Sequence, residues 1–210
     1  MTVSSEVEKR AAELADQQWD LQAIEDRFRY LVKHGITGNR PELEEIVGKK
    51  DDFLDQVQQH AEQYCYLTRS CAKGSALALL EAFGLGNIEI IRSMAPFPGL
   101  SMSGGICGPV AGGMAALGLY FSGKDPADYE NINHYIAGRQ YMQKFKAVFG
   151  SLLCPDIQKR LLGRAYDPFA GPEELEAFNR SGAREKCPVA PGIGARLAAE
   201  IIIESMEENR

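Results

Sequence analysis

Residues 51–83, DDFLDQVQQHAEQYCYLTRSCAKGSALALLEAF, place Phe53, Leu54, Val57, His60, Ala61, Tyr64, Leu67, Cys71, Ser75, Leu79 and Phe83 at helical spacing. The stretch reads as one long helix, stopped by Gly84-Leu85-Gly86 with glycine as the left-handed cap. Cys71 rides on that helix. Cys65, upstream of it on the same helix, is turned about 240° around the axis, so the two thiols face different ways and do not pair.

The same period runs outward in both directions. Val7, Ala11, Leu14, Leu21, Ile24, Phe28 and Leu31 predict one long amphipathic helix from residue 5 to 34, ended by Gly35. Its heptad stripe of Val7, Leu14, Leu21 and Phe28 suits packing on the chain's own core or a homodimer contact. A turn at Thr37-Gly38-Asn39-Arg40-Pro41 leads to a short helix through Val47, closed by Gly48. After residue 86 a short helix at 88–94 precedes the irregular Ala95-Pro96-Phe97-Pro98-Gly99 and the glycine-rich residues 101–108. Residues 109–121 form a helix rich in small side chains (Ala111, Gly112, Gly113, Ala115, Ala116, Gly118), which sacrifices propensity but lets another backbone come close.

Further helices are expected from Tyr129 to Val148, stopped by Gly150, and at 155–162, 172–178 and 192–206, with Gly123-Lys124-Asp125-Pro126 as a turn before the first of them. No stretch alternates with period two between turn dipeptides. The expected class is all-α, a compact helical bundle with a long N-terminal helix. Residues 1–49 are taken as an N-terminal helical extension and residues 50–210 as a cysteine-bearing helical core domain.

With 210 residues, 45% apolar and 25% charged, the chain can bury a sizeable core. Its formal net charge is −6, and no basic cluster is interleaved with aromatics, so neither nucleic acid nor an acidic membrane surface is an expected partner. Met1-Thr2-Val3-Ser4-Ser5-Glu6 lacks the basic start and apolar run of a signal peptide. A cytoplasmic protein without membrane insertion is the expectation, and dispersed cysteines in a reducing compartment serve redox chemistry, metal binding or packing.

The cysteines carry the chemistry. Cys107, Cys154 and Cys187 each fall on or beside an expected helix end, with Pro109, Pro155 and Pro188 just after them, while Cys71 rides on the helix of residues 51–83. Proline favours the first helical turn. Cys107 and Cys154 therefore face free amides and the positive end of a helix dipole, a setting that lowers thiol pKa and populates the nucleophilic thiolate. The glycines around Cys107 lack a Gly-Lys-Ser/Thr and follow no strand, which argues against a phosphate cradle. His34, His60 and His134 lie at unrelated positions, and there is no Cys-x-x-Cys pair of the kind zinc sites use.

Cys71 in Ser70-Cys71-Ala72-Lys73-Gly74, Cys107 in Gly104-Gly105-Ile106-Cys107-Gly108-Pro109-Val110-Ala111-Gly112-Gly113, Cys154 in Phe149-Gly150-Ser151-Leu152-Leu153-Cys154, and Cys187 resemble the redox-active C_GCAxxG_C_C family over about residues 60–190. Ser70 stands where the pattern has glycine, and Gly74 falls one place early. Cys65 is either the leading cysteine of the pattern or an extra one. The resemblance implies redox work but no substrate. The thiols admit three readings. In one, Cys107 attacks and Cys154 resolves in thiol–disulfide exchange or electron transfer with a redox partner protein, a small thiol or an electron donor, which would make the chain an oxidoreductase. In another, Cys71, Cys107, Cys154 and Cys187 ligate an iron–sulfur cluster or, less well, zinc. In the third the cysteines only pack, in a non-redox helical interaction protein or a small-molecule enzyme with its pocket under Pro96-Phe97-Pro98.

Overall fold

The computed structural model describes residues 3–36, 40–125 and 127–208, so part of the turn expected at 37–41 and Pro126 lie outside the described residues. The order is α1 (Val3–Ala15), α2 (Leu21–His34), α3 (Leu43–Val47), α4 (Lys50–Thr68), α5 (Cys71–Ala82), α6 (Ile88–Ser93), α7 (Gly99–Met102), α8 (Gly108–Phe121), α9 (Asn133–Phe149), α10 (Cys154–Leu162), α11 (Pro172–Arg180), α12 (Ala183–Lys186) and α13 (Val189–Glu208). The described residues contain no strand, and no helix among them is long and apolar enough to cross a membrane. The chain is all-α.

Two long helices foreseen in the sequence are broken. The N-terminal one stops at Ala15 and restarts at Leu21, where the Asp20 carboxylate caps the new helix by accepting the Ala23 N–H at 3.1 Å. It is a pair of helices rather than one long helix. Its apolar residues Val7, Ala11, Leu14, Ile24 and Leu31 are buried in the same cluster as the rest of the core. Arg10 forks onto the fully buried Glu62 at 3.1 and 2.6 Å, tying α1 to α4.

The second break decides the site. Arg69 turns left-handed (φ 53°) and Ser70 is extended, its hydroxyl accepting the Lys73 N–H at 3.4 Å, so the helix expected across 51–83 becomes the antiparallel hairpin of α4 and α5. Helix α5 then lies at the centre, with Ala72 and every residue from Gly74 to Leu80 buried among α4, α8 and α13. Only very small side chains permit this. A Cβ on Gly74 would stand 2.7 Å from the Ala61 carbonyl oxygen, and one on Gly112 would stand 2.5 Å from the Ala72 carbonyl oxygen and press on the Ser75 hydroxyl.

Gly108 meets Cys71 and Ala72 while Gly112 meets Ala72, Ser75 and Ala76, so α5 and α8 run parallel, in backbone contact, with their N-termini side by side. The Tyr141 hydroxyl donates to the Pro109 carbonyl at 2.8 Å and locks α9 to the start of α8.

The packing sets a test by urea unfolding. Gly112→Ala should cost about 1–3 kcal/mol through overpacking. Gly118→Ala on the same helix, where a Cβ meets nothing within 4 Å, should leave stability unchanged or raise it by up to about 1 kcal/mol.

Candidate functional site

The parallel contact of α5 and α8 puts Cys71, the first residue of α5, beside Cys107, which caps the N-terminus of α8. A Cβ on Gly108 would collide with the Cys71 sulfur, so the glycine after Cys107 gives the neighbouring thiol its space. The third thiol arrives through a minimal sheet. Ile106 and Leu153 form an isolated antiparallel bridge, in which the Cys107 N–H donates to the Leu152 carbonyl at 2.8 Å and the Cys154 N–H to the Gly105 carbonyl at 2.9 Å. Each bridge residue is followed directly by a cysteine that opens a helix, and both helices carry proline in their first turn.

Above Cys154 the chain makes an unusual turn. Residues Gly99, Leu100, Ser101 and Met102 of α7 all take left-handed φ values of 55°, 48°, 61° and 60°. The turn closes through Met102 N–H to the Pro98 carbonyl and Gly105 N–H to the Gly99 carbonyl, each at 2.9 Å. A side chain on Gly99 would touch the Cys154 sulfur at 3.4 Å. The inverted turn thus rests on the thiol.

All five cysteines, free thiols, line one cavity of about 600 Å³. Its remaining walls are largely apolar, with Ile157 and Leu161 from α10, Leu175 and Phe178 from α11, Met102 from α7, and Pro98 just before α7. The structure brings together Cys71, Cys107, Cys154 and Cys187, the residues singled out from the sequence. Cys65 is the fifth. The expectation that it turns away from Cys71 fails because the two sit on different helices of the α4–α5 hairpin. A serine with helix-capping preference at position 70 was the available signal for that break.

The thiols are electrostatically unequal. Cys154 is held below its ordinary thiol value because its sulfur accepts a hydrogen bond from Cys107, against the opposing effect of burial, with help from the Gln158 side-chain amide at 3.6 Å. Gln158 is itself fixed, 4% exposed, its Oε1 accepting the Tyr166 N–H at 2.7 Å. Cys107 is pushed up, by its hydrogen bonds to Cys154 and to Cys71 and then by burial. A lowering was expected for both thiols from the helix dipole; only Cys154 is lowered, and its causes are the Cys107 and Gln158 donors. Cys65 and Cys187 are pushed up chiefly by burial, and then by the neighbouring Cys71.

No histidine lines the cavity. His60 is buried beside Arg27 and Glu81, where burial and then the Arg27 charge hold its titration down to about 4. Among the described residues no group of three or more His, Cys, Asp or Glu side chains is arranged to hold a metal ion.

The model of the family described as "Putative redox-active protein (C_GCAxxG_C_C)" matches residues 69–201. Its span runs from the break before α5 into α13 and takes in four of the five thiols. No curated protein and no solved structure matches the chain.

Gln158→Leu removes one donor to the Cys154 sulfur. The pH midpoint for iodoacetamide labelling of Cys154, followed by peptide mass spectrometry, should rise and the rate at pH 7 should fall, with the rate of the fully ionised thiolate little changed.

Proposed function

The chain belongs to the family described as "Putative redox-active protein (C_GCAxxG_C_C)", and from that membership and the unequal thiols of the cavity we infer that it performs thiol–disulfide exchange with Cys154 as the attacking sulfur and Cys107 as the resolving one. The observation that carries this reading is the Ile106–Leu153 bridge, which sets Cys107 and Cys154 side by side at the starts of two helices, with the Gln158 amide 3.6 Å from the Cys154 sulfur. That donor favours the anion on the half-buried Cys154, and the buried Cys107 is the thiol that keeps its proton. The roles are therefore the reverse of those suggested by the sequence.

The Cys154 thiolate attacks one sulfur of a disulfide, forming a mixed disulfide while the other half leaves as a thiolate and takes a proton from solvent. Cys107 then attacks the Cys154 sulfur, its proton passing to the second half, which leaves as a thiol. The Cys107–Cys154 bond forms, and two electrons pass from the protein dithiol to the substrate disulfide. The bridge between Ile106 and Leu153 keeps the two sulfurs adjacent throughout, and the N-terminal amides of α10 favour the anion at Cys154. Two thiol groups of a second compound, oxidised in turn to their disulfide, restore the dithiol.

A second reading, an iron–sulfur cluster held by Cys71, Cys107, Cys154 and Cys187, rests on these sulfurs lining one cavity, although among the described residues they are not arranged to hold a metal ion. Zinc would need the same sulfurs drawn into a tetrahedron. Iron and sulfide analysis with a visible spectrum on protein purified without oxygen separates these readings: iron with stoichiometric sulfide sinks the exchange mechanism in favour of the cluster.

For the exchange reading, Cys154 should be the thiol labelled first at pH 7, with a midpoint below the ordinary value of about 8.5. Cys107→Ser should trap a mixed disulfide between Cys154 and an added small disulfide that the wild-type chain releases. Equal, ordinary reactivity at all five cysteines would defeat the proposal.

A further inference from the structure

The thiol floor accounts for only part of the cavity. Its outer wall is α11, a helix with no buried residue, which enters from Gly171 and leaves through Ser181 and Gly182, the latter left-handed at φ 77°. The described contacts that hold it are light: Arg164 pairs with Glu174 at 2.9 Å, and the Tyr166 and Phe178 rings meet with centroids 5.9 Å apart. Leu175 and Phe178 face the cavity although Leu175 is 46% exposed. An apolar wall left this open is a surface suited to an apolar guest.

The rim is cationic. Arg69 and Arg184 both line the cavity and are exposed, and neither is paired with a carboxylate among the described residues. Arg184 is held in place by stacking 4.5 Å over the Tyr66 ring, three residues before Arg69. Arg69 is itself fixed by the left-handed turn between α4 and α5. The acid of the lining is Glu185, one carboxylate against two guanidiniums. A volume of about 600 Å³ is that of a small-molecule site, and Cys154 lies inside it beneath the inverted turn rather than on a convex surface that a folded partner could reach.

Resting on the exchange reading above, we propose that the substrate is a small disulfide with an apolar, ring-sized body and a carboxylate: the body lodges under α11 against Leu175 and Phe178, and the carboxylate is held at the rim by Arg69 and Arg184. Cys154 attacks the S–S bond of the bound molecule, one half stays as the mixed disulfide and the other leaves as a thiolate that is protonated by solvent. Cys107 then displaces the retained half, so the molecule departs as two thiols and the protein as the Cys107–Cys154 disulfide.

Two aryl disulfides test this in stopped flow at low salt: 5,5′-dithiobis(2-nitrobenzoate), which carries carboxylates, and 2,2′-dithiodipyridine, which is smaller and neutral. Each rate is divided by that of glutathione with the same reagent. Arg69→Gln and Arg184→Gln should each slow the carboxylated reagent about fivefold, the scale of an exposed ion pair, and leave the pyridyl reagent within about twofold of wild type. Added salt should reproduce the loss. Phe178→Ala should slow both aryl reagents about fivefold, the scale of one aromatic contact, and leave cystamine unaffected. Equal slowing of both reagents in the arginine variants, or none in any variant, overturns the substrate assignment while a fast Cys154 keeps the exchange reading. A Cys154 no faster with either reagent than in the urea-unfolded chain overturns both.

Discussion

The site depends on the backbone contact between α5 and α8. Side chains normally keep helix axes 8–10 Å apart, but Gly108 and Gly112 let α8 press directly on the first turns of α5. Because the two helices run parallel, the contact brings two N-termini together with a cysteine at each. A Cβ at either glycine would push the starts of the helices apart and separate Cys71 from Cys107. The composition that weakens α8 as an isolated helix is what makes it a partner for α5.

The rest of the molecule holds that contact in register. Tyr141, fully buried, fixes the start of α8 from the side of α9. Helix α13 closes the fourth side, its Gly192 set against the Glu62 side chain and its Gly194 against Pro109 and Tyr141. Glu62 is in turn neutralised by the bidentate Arg10 of α1. A buried carboxylate without its partner is strongly destabilising, so the N-terminal helix is coupled to the core one turn below Cys65.

Much of this could be read from the residues. Helical period, absent alternation and the prolines after Cys154 and Cys187 gave the class and most helix starts, and the small residues of α8 announced a close backbone approach. Cys107, Cys154 and Cys187 beside helix ends were visible for the same reason, whereas Cys71 was placed inside a helix. What escaped was the phase. The apolar repeat across residues 51–83 stays in register through Arg69 and Ser70, so nothing in the period reports the break, and Cys65 was assigned the wrong direction by an angle computed along a helix that does not exist. The N-terminal repeat hides the break before Leu21 in the same way. The inequality of Cys107 and Cys154 was also out of reach, because it follows from which sulfur donates to which across a bridge between segments distant in sequence.

The left-handed turn at Gly99–Met102 inverts the usual meaning of glycine. In most of a protein glycine loosens the chain, at about 0.5–1 kcal/mol relative to alanine. Leu100, Ser101 and Met102 hold a mirror-image conformation that penalises each ordinary residue by about 1–2 kcal/mol. The roof over Cys154 is thus a compressed spring whose tension lies in side chains that a more relaxed sequence would lack. Drift toward glycine there would relieve the tension but take Met102 from the cavity wall and Leu100 from its packing on Gly105, so leucine and methionine at those places keep contact at the expense of strain.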